Sequence, residues 1–356
     1  MKKNYRAAIW ILCMCLLLSG CEFGLDGSYY SEKPHLEEYE KLGEESAEVT
    51  SFSELQEALT VLVEDGSESG MLYTNDLTQD NLTGYLDIAI RNIKQHNAIG
   101  AYAVDEILYE IGTNTGKQAV AVTITYHHNR SEILRIKQTE SMEDAIRVIT
   151  SALDNCDPSV ILKVEQYRTI DFTQLVQDYV DENPQTCMEM PQVTTNLYPE
   201  NGAQRVIELK FTYQTSRATL RNMQQTVTPV FASAKLYVST DADIWEKYSQ
   251  LYSFLMERYD YTVETSITPS YSLLRHGVGD SKAFAVVYAA MCRQADLDCR
   301  VVSGTKAGEA WYWNVFVIDG VHYYIDLLQC SYTTGFQAYT DADMTGYVWD
   351  YSAYEQ

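Results

Sequence analysis

No C-x-x-C pair occurs in the 356 residues, which removes the usual thiolate frame of a structural zinc site. Positive charge is scarce: 26 Lys and Arg stand against 50 Asp and Glu, a formal net charge of −24. A surface of that sign repels nucleic acid and anionic headgroups, so no nucleic-acid partner is expected and charge does not hold the chain to a membrane. The apolar run from Ala7 to Leu18 is too short for a transmembrane helix. Histidine is limited to six residues. The adjacent pair His127-His128 would point to opposite faces of a strand, so neither a metal nor a cofactor is expected.

What is present begins with Met1-Lys2-Lys3-Asn4-Tyr5-Arg6, a basic segment ahead of that apolar run. Leu18-Ser19-Gly20-Cys21 then reads as a lipobox. The expectation is a signal peptide over 1–20, cleavage before Cys21, and lipid on its thiol. The protein would then be anchored at the extracytoplasmic face of a cell membrane. Loss of Lys2, Lys3 and Arg6 would take the net charge from −24 to −27. Residues 21–50 are acidic and polar and suit a flexible tether. With 46% hydrophobic residues the remainder can bury real cores. Cys156, Cys187, Cys292, Cys299 and Cys330 are left beyond the lipobox, an odd number whose pairing the sequence leaves open.

Two middle segments match at an offset of 87 residues. Val120–Tyr126 corresponds to Ile207–Tyr213, Tyr85–Ile93 to Phe172–Val180, and Glu54–Leu59 to Ser141–Ile146. Each unit reads as helix, apolar segment, helix and alternating strand, the strands carrying one buried face. Ser53 and Ser141 are candidate helix N-caps. These patterns predict small α+β modules at 51–137 and 138–239, acting as spacers or binding surfaces. A short polar linker, Thr240–Asp243, leads into a helix from Ile244 and a further domain over 240–356.

In that domain Ser281 to Gln294 predicts a helix, with Phe284, Val287, Tyr288 and Met291 on one face. Cys299–Gly304, Trp311–Ile318 and Val321–Leu327 predict strands, the last two joined at Asp319-Gly320. The Gly279-Asp280-Ser281-Lys282 helix start, the Asp-Gly hairpin and the Tyr323-Tyr324-Ile325-Asp326 strand resemble the core of the transglutaminase-like (papain-related) superfamily. The resemblance implies an α+β fold in which a nucleophilic Cys opens the helix. A His and an Asp follow on adjacent strands.

By that resemblance Ser281 holds the Cys position and Asp326 keeps its match. Trp311 holds the His position if the strand is registered on its Asp-Gly turn, and Glu309 does if it is registered on Gly308-x-Ala310-Trp311. Neither supplies an imidazole. His322 lies on the neighbouring strand, about 13 Å from Asp326, and His276 lies in the loop before the helix. Trp311 and Trp313 share a strand face. They either fill the former cleft, which is the expectation, or line it with Glu309 as a binding platform. The expected function is therefore non-catalytic binding of a peptide, a protein or a peptidoglycan component. The competing reading is a Ser281-dependent hydrolase or acyl transferase whose base the motif does not reveal.

Overall fold

The computed structural model describes residues 46–74, 77–331 and 335–354. The expected signal peptide, Cys21 and most of the 21–50 tether lie outside them. The first module runs β1 (Ser46–Glu48), α1 (Phe52–Glu64), β2 (Ser69–Tyr73), α2 (Gln79–His96), α3 (Ala98–Ala103), β3 (Val104–Asn114) and β4 (Lys117–Tyr126). The second runs β5 (Lys137–Ser141), α4 (Met142–Asp154), β6 (Ser159–Gln166), α5 (Phe172–Glu182), β7 (Gln192–Tyr198) and β8 (Arg205–Thr212). Their sheets have the orders β1-β2-β4-β3 and β5-β6-β8-β7. In each, the first pair is parallel and the others are antiparallel.

Register refines the repeat. Leu72 faces Val120 in the first sheet and Leu162 faces Ile207 in the second, so the last strand recurs after 87 residues but the strand paired with it, β2 in one module and β6 in the other, after 90. The first helices also recur after 90, because Ser51 and Ser141 cap them, accepting from the N–H of Glu54 and Asp144. Ser53, expected as a cap, lies inside the first turn. Tyr126 closes β4, and Tyr213 immediately follows β8. Leu55, Leu59 and Leu62 of α1 and Leu82, Leu86 and Ile93 of α2 pack with Val120, Val122 and Ile124, the i, i+4 rows meeting alternate strand residues. Val206 of β8 is buried in that same core, which joins the two modules.

Beyond β8 the chain enters a helix that the sequence did not announce, α6 (Arg217–Tyr237). Its Leu220, Val227, Phe231 and Ala234 sit in the C-terminal core. By packing, this stretch of the expected 138–239 module therefore belongs with the domain that follows. That domain continues through α7 (Ile244–Met256), α8 (Ser281–Gln294), β9 (Arg300–Lys306), β10 (Glu309–Ile318), β11 (Val321–Ile325), α9 (Leu327–Ser331) and β12 (Tyr347–Val348). Its sheet order is β11-β10-β9-β12. Asp243 and Glu246 form a reciprocal capping box that starts α7.

The α8 helix is the centre of this domain. Ser281 and every residue from Ala283 to Cys292 are buried, not one face only, because α6, α7 and the sheet enclose it. A helix apolar all round is one that neighbours surround. Both hairpin turns, Ala307-Gly308 and Asp319-Gly320, place two successive residues at positive φ, from 51° to 88°. That is the backbone hand that matches strand twist. The protein has an α+β fold.

Candidate functional site

Ser281 opens α8. The helix is capped by Asp280, whose Oδ1 accepts from the Ala283 N–H at 2.8 Å, while Thr265 donates its hydroxyl to Oδ2. Ser281 is 8% exposed. Among the described residues no histidine or carboxylate hydrogen-bonds its hydroxyl. His276 stands edge-on to Tyr271, ring centroids 5.4 Å apart, and His322 lies opposite Val317 near the far end of the hairpin. An alcohol needs a placed base to become a nucleophile, and neither imidazole hydrogen-bonds the Ser281 hydroxyl.

Asp326 directly follows β11 and is 1% exposed. Its carboxylate gathers five donors. Oδ1 accepts from the backbone N–H of Leu328 at 3.1 Å and Gln329 at 3.0 Å, so the residue caps the start of α9. Oδ2 accepts from Lys306 Nζ at 2.7 Å, Trp311 Nε1 at 2.9 Å and the Tyr347 hydroxyl at 2.7 Å. A carboxylate offers roughly four lone-pair directions, so none is left to orient an imidazole. Lys306 also donates to Gln329 Oε1 at 2.9 Å and lies 5.1 Å and 5.2 Å from the ring centres of Trp311 and Tyr347. Burial, and then the hydrogen bond to Asp326, raises the Tyr347 hydroxyl above the usual tyrosine range and keeps it a donor.

The strand thus brings Trp311 to Asp326 and leaves Glu309 exposed beside the Ala307-Gly308 turn, opposite Lys306. Trp313 is not a cleft residue. It is fully enclosed, against Tyr347 and Trp349 at 5.1 Å and 5.4 Å between ring centroids. The next residue, Asn314, points the other way and donates to the Ala285 carbonyl of α8 at 2.8 Å. Alternation along β10 therefore puts Trp313 on the sheet face away from α8. Trp311, at the strand's start, packs both against the core around α8 and against the cluster of Trp313 and Trp349 on the other side of the sheet. It also lies 5.8 Å from the Tyr261 ring, and Tyr261 is paired with Gly279 just before the helix.

Residues 232–349 match the transglutaminase-like superfamily. This region is a transglutaminase-like domain. The chain is similar to a solved transglutaminase (TGase) at 12% identity and a TM-score of 0.28, covering 59% of this chain and 63% of that one. A candidate cysteine protease from Cytophaga hutchinsonii is 12% identical at a TM-score of 0.27, with 44% of this chain and 70% of that chain covered. A candidate protease from Parabacteroides distasonis is 9% identical at 0.24, with coverages of 72% and 39%. The chain spans under two thirds of the first of these. No curated protein matches it.

Two residues of the Asp326 cluster were not found by sequence reasoning. Lys306 precedes the Ala307-Gly308 turn, and that dipeptide was the available sign that a hairpin would carry Lys306 back beside Trp311. Tyr347 comes from β12, two residues long and paired only with Thr305 and Lys306, so nothing local announces it. None of the five cysteines of the described residues forms a disulfide, and all five are buried. Burial pushes the Cys187 thiol up to about 12 and the Cys330 thiol up to about 11, which keeps both protonated and unreactive at neutral pH. Among the described residues no cluster of three or more His, Cys, Asp or Glu could hold a metal. No helix there is long and apolar enough to cross a membrane.

Proposed function

We propose that the transglutaminase-like domain is non-catalytic and serves a lipid-anchored envelope protein that binds a peptide, a protein or a cell-wall component. The observation that carries this reading is the Trp311 Nε1 to Asp326 Oδ2 hydrogen bond of 2.9 Å. An indole donates and cannot take up a proton. If Trp311 stands where the superfamily keeps its histidine and Ser281 where it keeps its cysteine, the nucleophile and the proton shuttle are both gone. Lys306 and Tyr347 then complete the coordination that an imidazole would need. Either loss alone removes orders of magnitude in rate.

Purified protein is expected to show neither incorporation of a dansylated amine into a protein substrate nor peptide hydrolysis, and Ser281→Ala is expected to behave identically. Activity in the parent protein that disappears in Ser281→Ala would make Ser281 a nucleophile and defeat the proposal.

The anchor rests on Cys21 and the lipobox ahead of it. Cells producing Cys21→Ser are expected to release the protein from the membrane fraction or to retain an unprocessed precursor. Normal processing together with full membrane retention would refute lipidation at this residue.

A further inference from the structure

Two cavities meet beside the start of α8, on the side that faces the second module. The inner one, about 290 Å³, is walled by Val180, Met188, Met190, Ile267 and Val286. Met188 and Met190 are side chains that reshape readily around an apolar guest. Cys187 adds its thiol to the same wall, held protonated by burial. At the mouth Ile267 is 52% exposed, which is unusual for a residue that also lines an apolar cavity.

The outer cavity, about 660 Å³, is polar and has walls of opposite sign. Asp178, Asp181 and Glu182 of α5 stand on one side; Lys282 and Arg293 of α8 with Arg300 of β9 stand on the other. Both cavities are lined by Gln177, Asp181 and Lys282. The boundary between them is therefore the ion pair from Lys282 Nζ to Asp181 Oδ2, 2.9 Å long, its two side chains 28% and 30% exposed. A pair that wet contributes little to stability, so its members can exchange each other for charges on a ligand.

We propose that the two cavities are one site for an extended zwitterionic peptide segment. A single large apolar side chain fills the inner cavity, and flanking basic and acidic side chains face α5 and the α8–β9 wall respectively. Size and composition fit: the volumes are those of small-ligand pockets, apolar with a few convergent polar groups. Two charged walls select a ligand carrying both signs over a purely cationic or purely anionic one. The inference rests on the non-catalytic binding reading, because it gives the domain a ligand without giving it a reaction. It also gives the second module a role, since α5 lines both cavities and the loop that follows it lines the inner one.

The test is fluorescence anisotropy of detergent-solubilised full-length protein with fluorescein-labelled Gly-Lys-Phe-Glu-Gly. Controls are Gly-Lys-Ala-Glu-Gly and Gly-Gln-Phe-Gln-Gly. Saturable binding of the first peptide is expected, weakened about tenfold or more by the Phe-to-Ala change. The uncharged control should bind more weakly and lose most of the salt dependence. Met190→Trp, which fills the cavity from a half-buried position, and Ile267→Asn, at the exposed mouth, should each weaken binding by about tenfold with unchanged circular dichroism. Using both guards against a variant that simply misfolds.

Equal affinity for the Phe and Ala peptides, unaltered binding by a folded Ile267→Asn protein, or no saturable binding at millimolar peptide would each overturn the site. Mass spectrometry of the recovered peptide separates this from the broader reading. Intact peptide without binding defeats the cavity alone. Peptide cleaved by the parent protein and not by Ser281→Ala defeats the non-catalytic reading and leaves the cavity standing.

Discussion

Asp326→Ala is expected to destabilise the protein by about 3–5 kcal/mol, the summed cost of leaving several largely buried donors without an acceptor. The substitution strands the Lys306 ammonium, the Trp311 indole N–H, the Tyr347 hydroxyl and the first N–H groups of α9 at once. These donors come from β9, β10, β12 and α9, so the carboxylate ties four elements together. Asp326→Asn is expected to rescue little, because both carboxylate oxygens receive only donors and an amide N–H₂ turned either way would meet one. Denaturant unfolding followed by tryptophan fluorescence measures both variants. An Asp326→Ala midpoint within error of the parent would show that Asp326 is not structural and return it to the candidates for chemistry.

Trp313→Ala is expected to cost a similar amount, about 3–5 kcal/mol, by removing a large side chain from a packed core. Trp313 is fully buried. The ring reaches so far over β9 that a Cβ built on Gly304, the partner of Trp311, would lie 2.6 Å from it and 2.3 Å from the Val348 carbonyl oxygen. The indole N–H has no hydrogen-bond partner. Trp313→Phe should therefore lose only volume and retain most of the stability that alanine forfeits. If Trp313→Ala unfolds at the parent's midpoint, the ring lies in an open cleft, as the sequence had left possible. If phenylalanine is as damaging as alanine, the indole N–H has an acceptor.

Local patterns in the sequence were sufficient for several elements whose cause is itself local. Ser281–Gln294 was readable as a helix to the residue because Asp280 is a good cap and the apolar spacing follows immediately. The hairpin at Asp319-Gly320 was readable because that dipeptide accepts two positive φ values. The last strands of the two modules were visible through alternation, but the second face is not wet throughout: Ala119 and Ala121 of β4 and Val206 and Glu208 of β8 are buried as well. The helix offset was read three residues short, since cap position depends on where the chain enters the helix and Ser51 and Ser53 are equivalent by composition.

Tertiary structure decided the rest. α6 carries an apolar stripe, Leu220, Val227, Phe231 and Ala234, that does not itself declare which core it serves, and only packing against α7 and α8 assigns it. Whether Trp311 or Glu309 meets Asp326 depended on strand register, which slips by whole residues without changing composition. The filling of Asp326 by Lys306 and Tyr347 joins residues 20 and 21 positions away through a turn and a two-residue strand. The cavity between α5 and α8 joins residues about a hundred apart. Composition and spacing determine which segments will bury a face and which residues can do chemistry. Which of those residues meet is set by the closure of distant segments onto one another, and no periodicity records that.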